Sequence, residues 1–199
     1  MTNPSLPEIH LIRHGETAWT VARRHTGLTD IPLTEIGERQ ARRFGAHLQG
    51  RTFTRVFSSP LQRARRTCEL AGFGSVVLIE PDLVEWNYGD YDGLTTAQIL
   101  QQRPGWQLFR DGCPRGESVA DVGTRADRMI SRLRARKGDA LLFSSGHFQR
   151  VFAARWLGLD ASYGRFFLLS TTTLSILGYE HDKTDPVIRL WNDVRPGLD

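Results

Sequence analysis

Short apolar runs alternate along the chain with stretches whose apolar positions recur every three to four residues, the pattern of an α/β fold with a largely parallel sheet. EIHLIR (8–13), RVFSS (55–59), SVVLIE (75–80) and DALLFSS (139–145) predict strands. LTEIGERQARRFGAHL (33–48) predicts a helix with Ile36, Ala41, Phe44 and Leu48 on one face. Another helix is expected after residue 59, opened by Pro60, a residue type favoured in first turns. ESVADVGTRADRMISRLRARK (117–137) sets Val119, Val122, Ala126, Met129, Ile130 and Leu133 on one stripe, and a helix from Phe148 to Gly158 follows the fourth strand. LSILGYE (174–180) and VIRLWND (187–193) predict a terminal hairpin turned by HDKTDP. No internal repeat, long linker or low-complexity stretch interrupts the pattern, so one domain over residues 1–199 is expected.

Three predicted strands run into polar groups: RHG after 8–12, SSP with Arg63 just beyond after 55–57, and SSGH after 140–143. Arg13 and His14 would be costly to bury unpaired. Ligands gather at the carboxyl ends of strands in open α/β sheets, so these three clusters are expected to share one crevice. A phosphoryl group suits such a crevice, because its transfer depends mostly on positioning and on stabilising charge. Arg13 and Arg63 can fork onto phosphate oxygens, and a neutral His14 nitrogen can attack phosphorus. Gly15 is expected to let the backbone approach the ligand, and His147 to add hydrogen bonds or positive charge.

Composition narrows the classes. The chain has 199 residues, 40% hydrophobic and 24% charged, as expected of a folded globular protein. The net charge of +4 is almost all arginine, since Lys137 and Lys183 are the only lysines. The arginines are interleaved with glutamates and aspartates rather than gathered in a stripe, which argues against a nucleic-acid partner. Cys68 and Cys113 fit neither a disulfide framework nor a zinc spacing, MTNPSLPEIH lacks a signal-peptide pattern, and no stretch approaches the roughly 18 apolar residues of a membrane span. A soluble cytoplasmic protein without a membrane partner is expected. DYDG (90–93) follows no apolar strand and lacks a calcium-loop pattern. No arginine stands six residues after either cysteine, and no P-loop or H-E-x-x-H occurs, so neither a metal nor another cofactor is called for.

Taken together, the motifs resemble those of the histidine phosphatase superfamily, the phosphoglycerate-mutase-like enzymes. RHGETAW (13–19), RHTGLTDIPLTEIGERQA (24–41), SSPLQRARRT (58–67), LVEWNYGDYDGLT (83–95), DGCPRGES (111–118) and SSGHFQR (144–150) carry the resemblance in family order over about two-thirds of the chain. The resemblance implies a three-layer sandwich, a mostly parallel central sheet with helices on both faces. It implies His14 as the nucleophile that becomes phosphohistidine, Arg13, Arg63 and His147 as the phosphate pocket, and Glu85 as general acid and base. An acidic optimum is expected from Glu85 acting in its protonated form. Thr26 and Gly27 fall at substrate-contacting positions, with Tyr88 on the same rim. Thr20 stands where phosphoglycerate mutases carry a phosphate-binding asparagine, leaving one hydroxyl donor of shorter reach.

His25, Arg23, Arg24 and Arg110 are candidates for the mouth, where a second anionic group would sit, although the ordinary reading of each is a solvated side chain; Arg150, one helical turn beyond His147, is expected to point near the pocket. Only about thirty residues separate Glu85 from GES (116–118), where phosphoglycerate mutases typically carry a longer insertion together with a tail that closes the site. Within the superfamily, HTGLTDIPLT (25–34), EWNYGDYDGLT (85–95), DGCPRGES (111–118) and GHFQR (146–150) most resemble bacterial broad-specificity acid phosphatases and sedoheptulose-bisphosphatase-type sugar phosphatases. The expected activity is metal-independent hydrolysis of small phosphomonoesters, sugar phosphates or bisphosphates. A phosphoglycerate mutase and a non-catalytic phospho-ligand binding module are the alternatives. The expected partner is a small phosphorylated metabolite, and the sequence is compatible with a homo-oligomer.

Overall fold

The computed structural model describes residues 6–195. The sequence readings that reach into residues 1–5 and 196–199, the signal-peptide reading included, lie outside the described residues. Six strands form one sheet: β1 (Ile9–Arg13), β2 (Arg55–Ser58), β3 (Val77–Ile79), β4 (Ala140–Ser144), β5 (Leu174–Tyr179) and β6 (Pro186–Asp193), in the order β3-β2-β4-β1-β5-β6. The pairs β3·β2, β2·β4 and β4·β1 are parallel, and β5 runs antiparallel to both neighbours. β5 and β6 are the expected hairpin.

Side chains alternate across this sheet and define two cores. Ile9, Leu11, Ala140, Leu142 and Leu177 face α6 (Val119–Arg134) and α7 (Gly146–Trp156), which bring Val122, Ala126, Met129, Phe148 and Phe152. Ile12, Val56, Leu141, Phe143 and Ile176 face α2 (Glu35–His47) and α3 (Gln62–Leu70), with Phe44, Leu48 and Cys68. The three layers anticipated from the sequence are thus present. The chain leaving β1 crosses on the α2 face to reach β2, whereas the chain leaving neighbouring β4 crosses on the α7 face to reach β5. Connections diverging from adjacent strands open a crevice between their carboxyl ends. Arg13 lies opposite Ser144 at that edge, and Ser58 opposite Phe143, so the three polar strand ends share one rim.

Five expectations are corrected. Ile36 does not join the α2 core face but is 46% exposed; Gly37 takes the buried place, because the backbone of Glu16 crosses so closely that a Cβ there would meet its carbonyl. Pro60 precedes α3 rather than opening it, since Leu61 is the residue that caps the helix. Helix α6 stops at Arg134, short of Lys137, and the third strand shortens to Val77–Ile79 because β3 pairs only with β2. Helix α7 begins at Gly146, two residues earlier than the apolar pattern suggested. The sequence reading also passed over the short helices α1 (Ala18–Val21), α4 (Thr96–Gln102) and α5 (Leu108–Asp111), whose apolar content is too small to show a period.

Candidate active site

The β1 end delivers His14 into the crevice with its backbone fixed, its N–H donating to Ser144 O (3.0 Å) and its carbonyl accepting from Thr172 N (3.2 Å). The ring is almost fully buried, with 3% exposure. Its Nδ1 lies 2.8 Å from Gly15 O, and a carbonyl only accepts, so Nδ1 carries the proton and Nε2 keeps its lone pair. Burial, then the charges of Arg63 and Arg13, hold the imidazole well below its ordinary pKa. The result is a neutral ring with a nucleophilic nitrogen in a positive environment. Gly15 is a glycine for a reason other than ligand approach: a Cβ would meet Gly37 O at 2.7 Å, and its N–H is held by Thr67 Oγ1.

Two guanidinium charges act on this ring: half-buried Arg13 lines the same cleft, whereas fully buried Arg63 lies outside the lining. Arg13 donates Nη1 to Leu169 O and packs on Gly146, where a Cβ would touch its Cζ and Nε at 3.0 Å. Arg63, entering from α3 with no exposed surface, donates to the carbonyls of Thr29 (3.0 Å), Thr26 (3.1 Å) and Gly27 (2.7 Å). The Nε of each arginine is buried without a partner. An unpaired N–H on a buried cation is costly, and an anion would supply what is missing.

Glu85 reaches the same place from the segment after β3, and backbone N–H groups fix both of its oxygens. Oε1 accepts from Trp86 (2.9 Å) and Phe148 (2.8 Å), whereas Oε2 accepts only from His147 N (3.0 Å). Oε2 therefore retains capacity to exchange a proton with a ligand. Opposite, Tyr88 Oη lies 2.5 Å from His147 Nδ1. Burial pushes the Tyr88 hydroxyl well above its ordinary pKa, so it keeps its proton, and donating it to Nδ1 leaves the proton of the neutral imidazole on Nε2. Burial, followed by the Arg150 charge, holds His147 well below its usual range, so it serves as a hydrogen-bond donor rather than as a cation.

Arg13, His14, Thr20, Thr26, Glu85, Tyr88 and His147 line one cleft of about 180 Å³, together with Arg23, Arg24 and His25. His25 stacks on His147 with centroids 5.9 Å apart, and burial pushes its pKa down to about 4. Other expected contacts are not available as anticipated. The Thr20 hydroxyl donates to Thr17 O (2.8 Å) and accepts from Thr17 N (2.9 Å), so its one proton is spent capping α1. Gly27 is outside the lining, and its N–H goes to Asp92 Oδ1 (2.8 Å) while its carbonyl holds Arg63. Thr26 donates its hydroxyl to Arg24 O. Arg110 pairs with Asp111 at the surface, in keeping with its ordinary reading as a solvated side chain, whereas Arg150 is outside the lining, over the Phe109 ring and donating to the Gly164 and Arg165 carbonyls. Sequence reasoning missed the pair Glu117 and Arg125, which backs the Glu85 segment. Arg125 falls on the apolar stripe of α6, and a charge there was the available signal.

A crevice at a strand switch point that presents a neutral imidazole nitrogen beside buried, underpaired guanidiniums is suited to phosphoryl transfer through histidine. Comparison with known proteins points to phosphatases. Residues 9–194 match the model of the histidine phosphatase superfamily (branch 1), and the chain belongs to that superfamily. It is 41% identical over 175 residues to an acid phosphatase of Mycobacterium tuberculosis, covering 86% of each chain. It is 36% identical over 189 residues to the sedoheptulose 1,7-bisphosphatase of Saccharomyces cerevisiae, covering 78% of this chain and 70% of that one. A solved Mycobacterium tuberculosis open-reading-frame product superposes with a TM-score of 0.89 at 38% identity, over 94% of this chain and 97% of that one. The chain is a phosphoric monoester hydrolase of this superfamily. No helix among the described residues is long and apolar enough to cross a membrane.

Proposed function

We propose that the protein hydrolyses small phosphomonoesters, sugar phosphates or bisphosphates, through a phosphohistidine on His14 and without a metal ion. The observation that carries the reading is the His14 tautomer: Nδ1 is tied to Gly15 O, and Nε2 is left free in a cleft lined by Arg13, with the charge of buried Arg63 acting on the ring from behind that lining. Arg13, Arg63 and the Nε2–H of His147 hold the phosphoryl oxygens. Nε2 of His14 attacks phosphorus, the bond to the leaving oxygen breaks, and Glu85 Oε2 gives that oxygen a proton. Water then attacks the phosphorus while Glu85 takes its proton; the new phosphorus–oxygen bond forms as the phosphorus–nitrogen bond breaks, releasing phosphate and restoring neutral His14 and protonated Glu85. Arg23 and Arg24 in the same cleft favour a substrate with a second anionic group. Both rim arginines are far less committed to the backbone than Arg63.

A phosphoglycerate mutase is the second reading, favoured by the near-complete burial of His14, which would shield a phosphohistidine from water. The committed Thr20 hydroxyl weighs against it, because a mutase needs firm retention of the transferred group. Two measurements decide. Hydrolysis of p-nitrophenyl phosphate is expected to survive chelator and to vanish in His14→Ala; chelator-sensitive turnover would contradict the metal-free mechanism. With phosphoglycerate as substrate, release of inorganic phosphate is expected to outrun isomer formation, and the reverse order would establish the mutase. A chain that binds phosphorylated sugar yet performs neither reaction would be a binding module.

A further inference from the structure

We infer that Arg125 and Glu117 form a brace that aims the Glu85 carboxylate for proton transfer, an inference that rests on Glu85 being the general acid. Arg125 sits in α6 between Val122, Ala126 and Met129, facing the core, where a cation demands compensation. It grips both oxygens of Glu117, through Nε (2.7 Å) and Nη2 (2.9 Å). Its Nη1 donates to the carbonyls of Asp82 (2.7 Å) and Val84 (3.2 Å), and Nη2 reaches that of Glu85 (3.4 Å).

Glu117 holds the same segment from its other side. Its Oε2 accepts from Asn87 N (2.8 Å), its carbonyl accepts from Trp86 Nε1 (2.9 Å), and its N–H donates to Asn87 O (2.9 Å). Residues 82–87 are thus clamped at the carbonyls by Arg125 and beyond Glu85 by Glu117. The clamp also reaches the donors that fix the carboxylate. Trp86 is tethered to Glu117, and the Phe148 ring lies beneath the Arg125 guanidinium, 5.0 Å from its centroid. Trp86 and Phe148 supply the two N–H groups on Oε1, so the brace sets the direction in which Oε2 points. Neither Arg125 nor Glu117 lines the cleft, and both therefore act through Glu85 as positioning residues.

A misaimed acid slows only those substrates whose leaving group needs the proton. The test compares kcat/KM on p-nitrophenyl phosphate, whose leaving group departs unaided, with glycerol phosphate, whose alkoxide does not. Glu117→Gln and Arg125→Lys are expected to lose about tenfold or more on glycerol phosphate and less than about threefold on p-nitrophenyl phosphate, with Glu85→Gln showing the same split more strongly. The inhibition constant of inorganic phosphate is expected to stay within about twofold of the parent, since Arg13 and Arg63 are untouched. Equal losses on both substrates, or none on either, in folded variants would overturn the brace while leaving Glu85 in its role. Equal losses in Glu85→Gln itself would instead remove the general acid and the brace with it. Should Arg125→Lys fail to fold, Glu117→Gln decides, because its amide oxygen still accepts from Asn87 while the charged grip is gone.

Discussion

Acidification from about pH 7 to about pH 5 is expected to destabilise the protein, and the buried histidines set the size of the effect. Burial lowers His14, His25 and His147, and His10 as well. In the unfolded chain each titrates near its ordinary value of about 6.5. Below that value the unfolded chain binds protons that the folded chain refuses, so stability falls with pH until the folded-state pKa is passed. For His25 the window runs from 6.5 down to about 4. Linkage over that window makes the protein about 2 kcal/mol less stable near pH 5 than near pH 7 from this one ring. His14 and His147 act in the same direction. His181, raised by exposed Asp185, opposes them, since its contribution is present at low pH and lost as pH rises. Asp111, held down to about 2, loses its contribution only below the ordinary carboxylate range, outside this window. Urea unfolding at the two pH values, with the slope checked for constancy, measures the difference. His25→Gln is expected to shrink it by about 2 kcal/mol. Equal stability at both pH values, or an unaltered pH dependence in His25→Gln, would mean that the buried rings do not govern acid stability.

Three further outcomes follow from the cleft. Gly146→Ala places a methyl at 3.0 Å from the Arg13 guanidinium, and is expected to raise the inhibition constant of inorganic phosphate about tenfold, the worth of one charge-assisted hydrogen bond. Tyr88→Phe removes the hydroxyl that fixes the His147 tautomer; steady-state kinetics should show kcat lower by about three- to tenfold, the worth of one neutral hydrogen bond. Arg63→Met strands the carbonyls of Thr26, Gly27 and Thr29, and is expected to cost about 3 kcal/mol or more in urea unfolding besides its effect on turnover.

The strand ends were legible because they combine two simple signals, an apolar run and an abrupt polar group, and the parallel register then aligns them. Arg13, His14 and His147 follow from that reasoning alone, and the family resemblance added Glu85, whose strand-free segment carries no period. What the sequence could not convey was how each polar atom is spent. Thr20 looks like a free hydroxyl until the Thr17 capping box is seen, and Gly27 like a ligand donor until Asp92, 65 residues on, claims its N–H. Partners so distant in sequence depend on the packed fold. Ile36 failed for a related reason: an apolar residue and an adjacent glycine compete for one buried place, and the crossing backbone of Glu16 admits only the glycine. Arg125 was readable in principle as a charge on an apolar stripe, but only the structure reveals the Glu117 carboxylate and the carbonyls that balance it.

In the proposed reaction a single nitrogen carries the phosphoryl group. Rapid quenching of the enzyme with radiolabelled phosphomonoester, followed by peptide mapping under alkaline conditions and phosphorus NMR, reads where the phosphoryl group rests. Label on Nε2 of His14, stable to alkali and lost in acid, is the expected result. Label on Nδ1 or on any other residue, or a full single turnover that releases phosphate with the protein never labelled, would contradict the account.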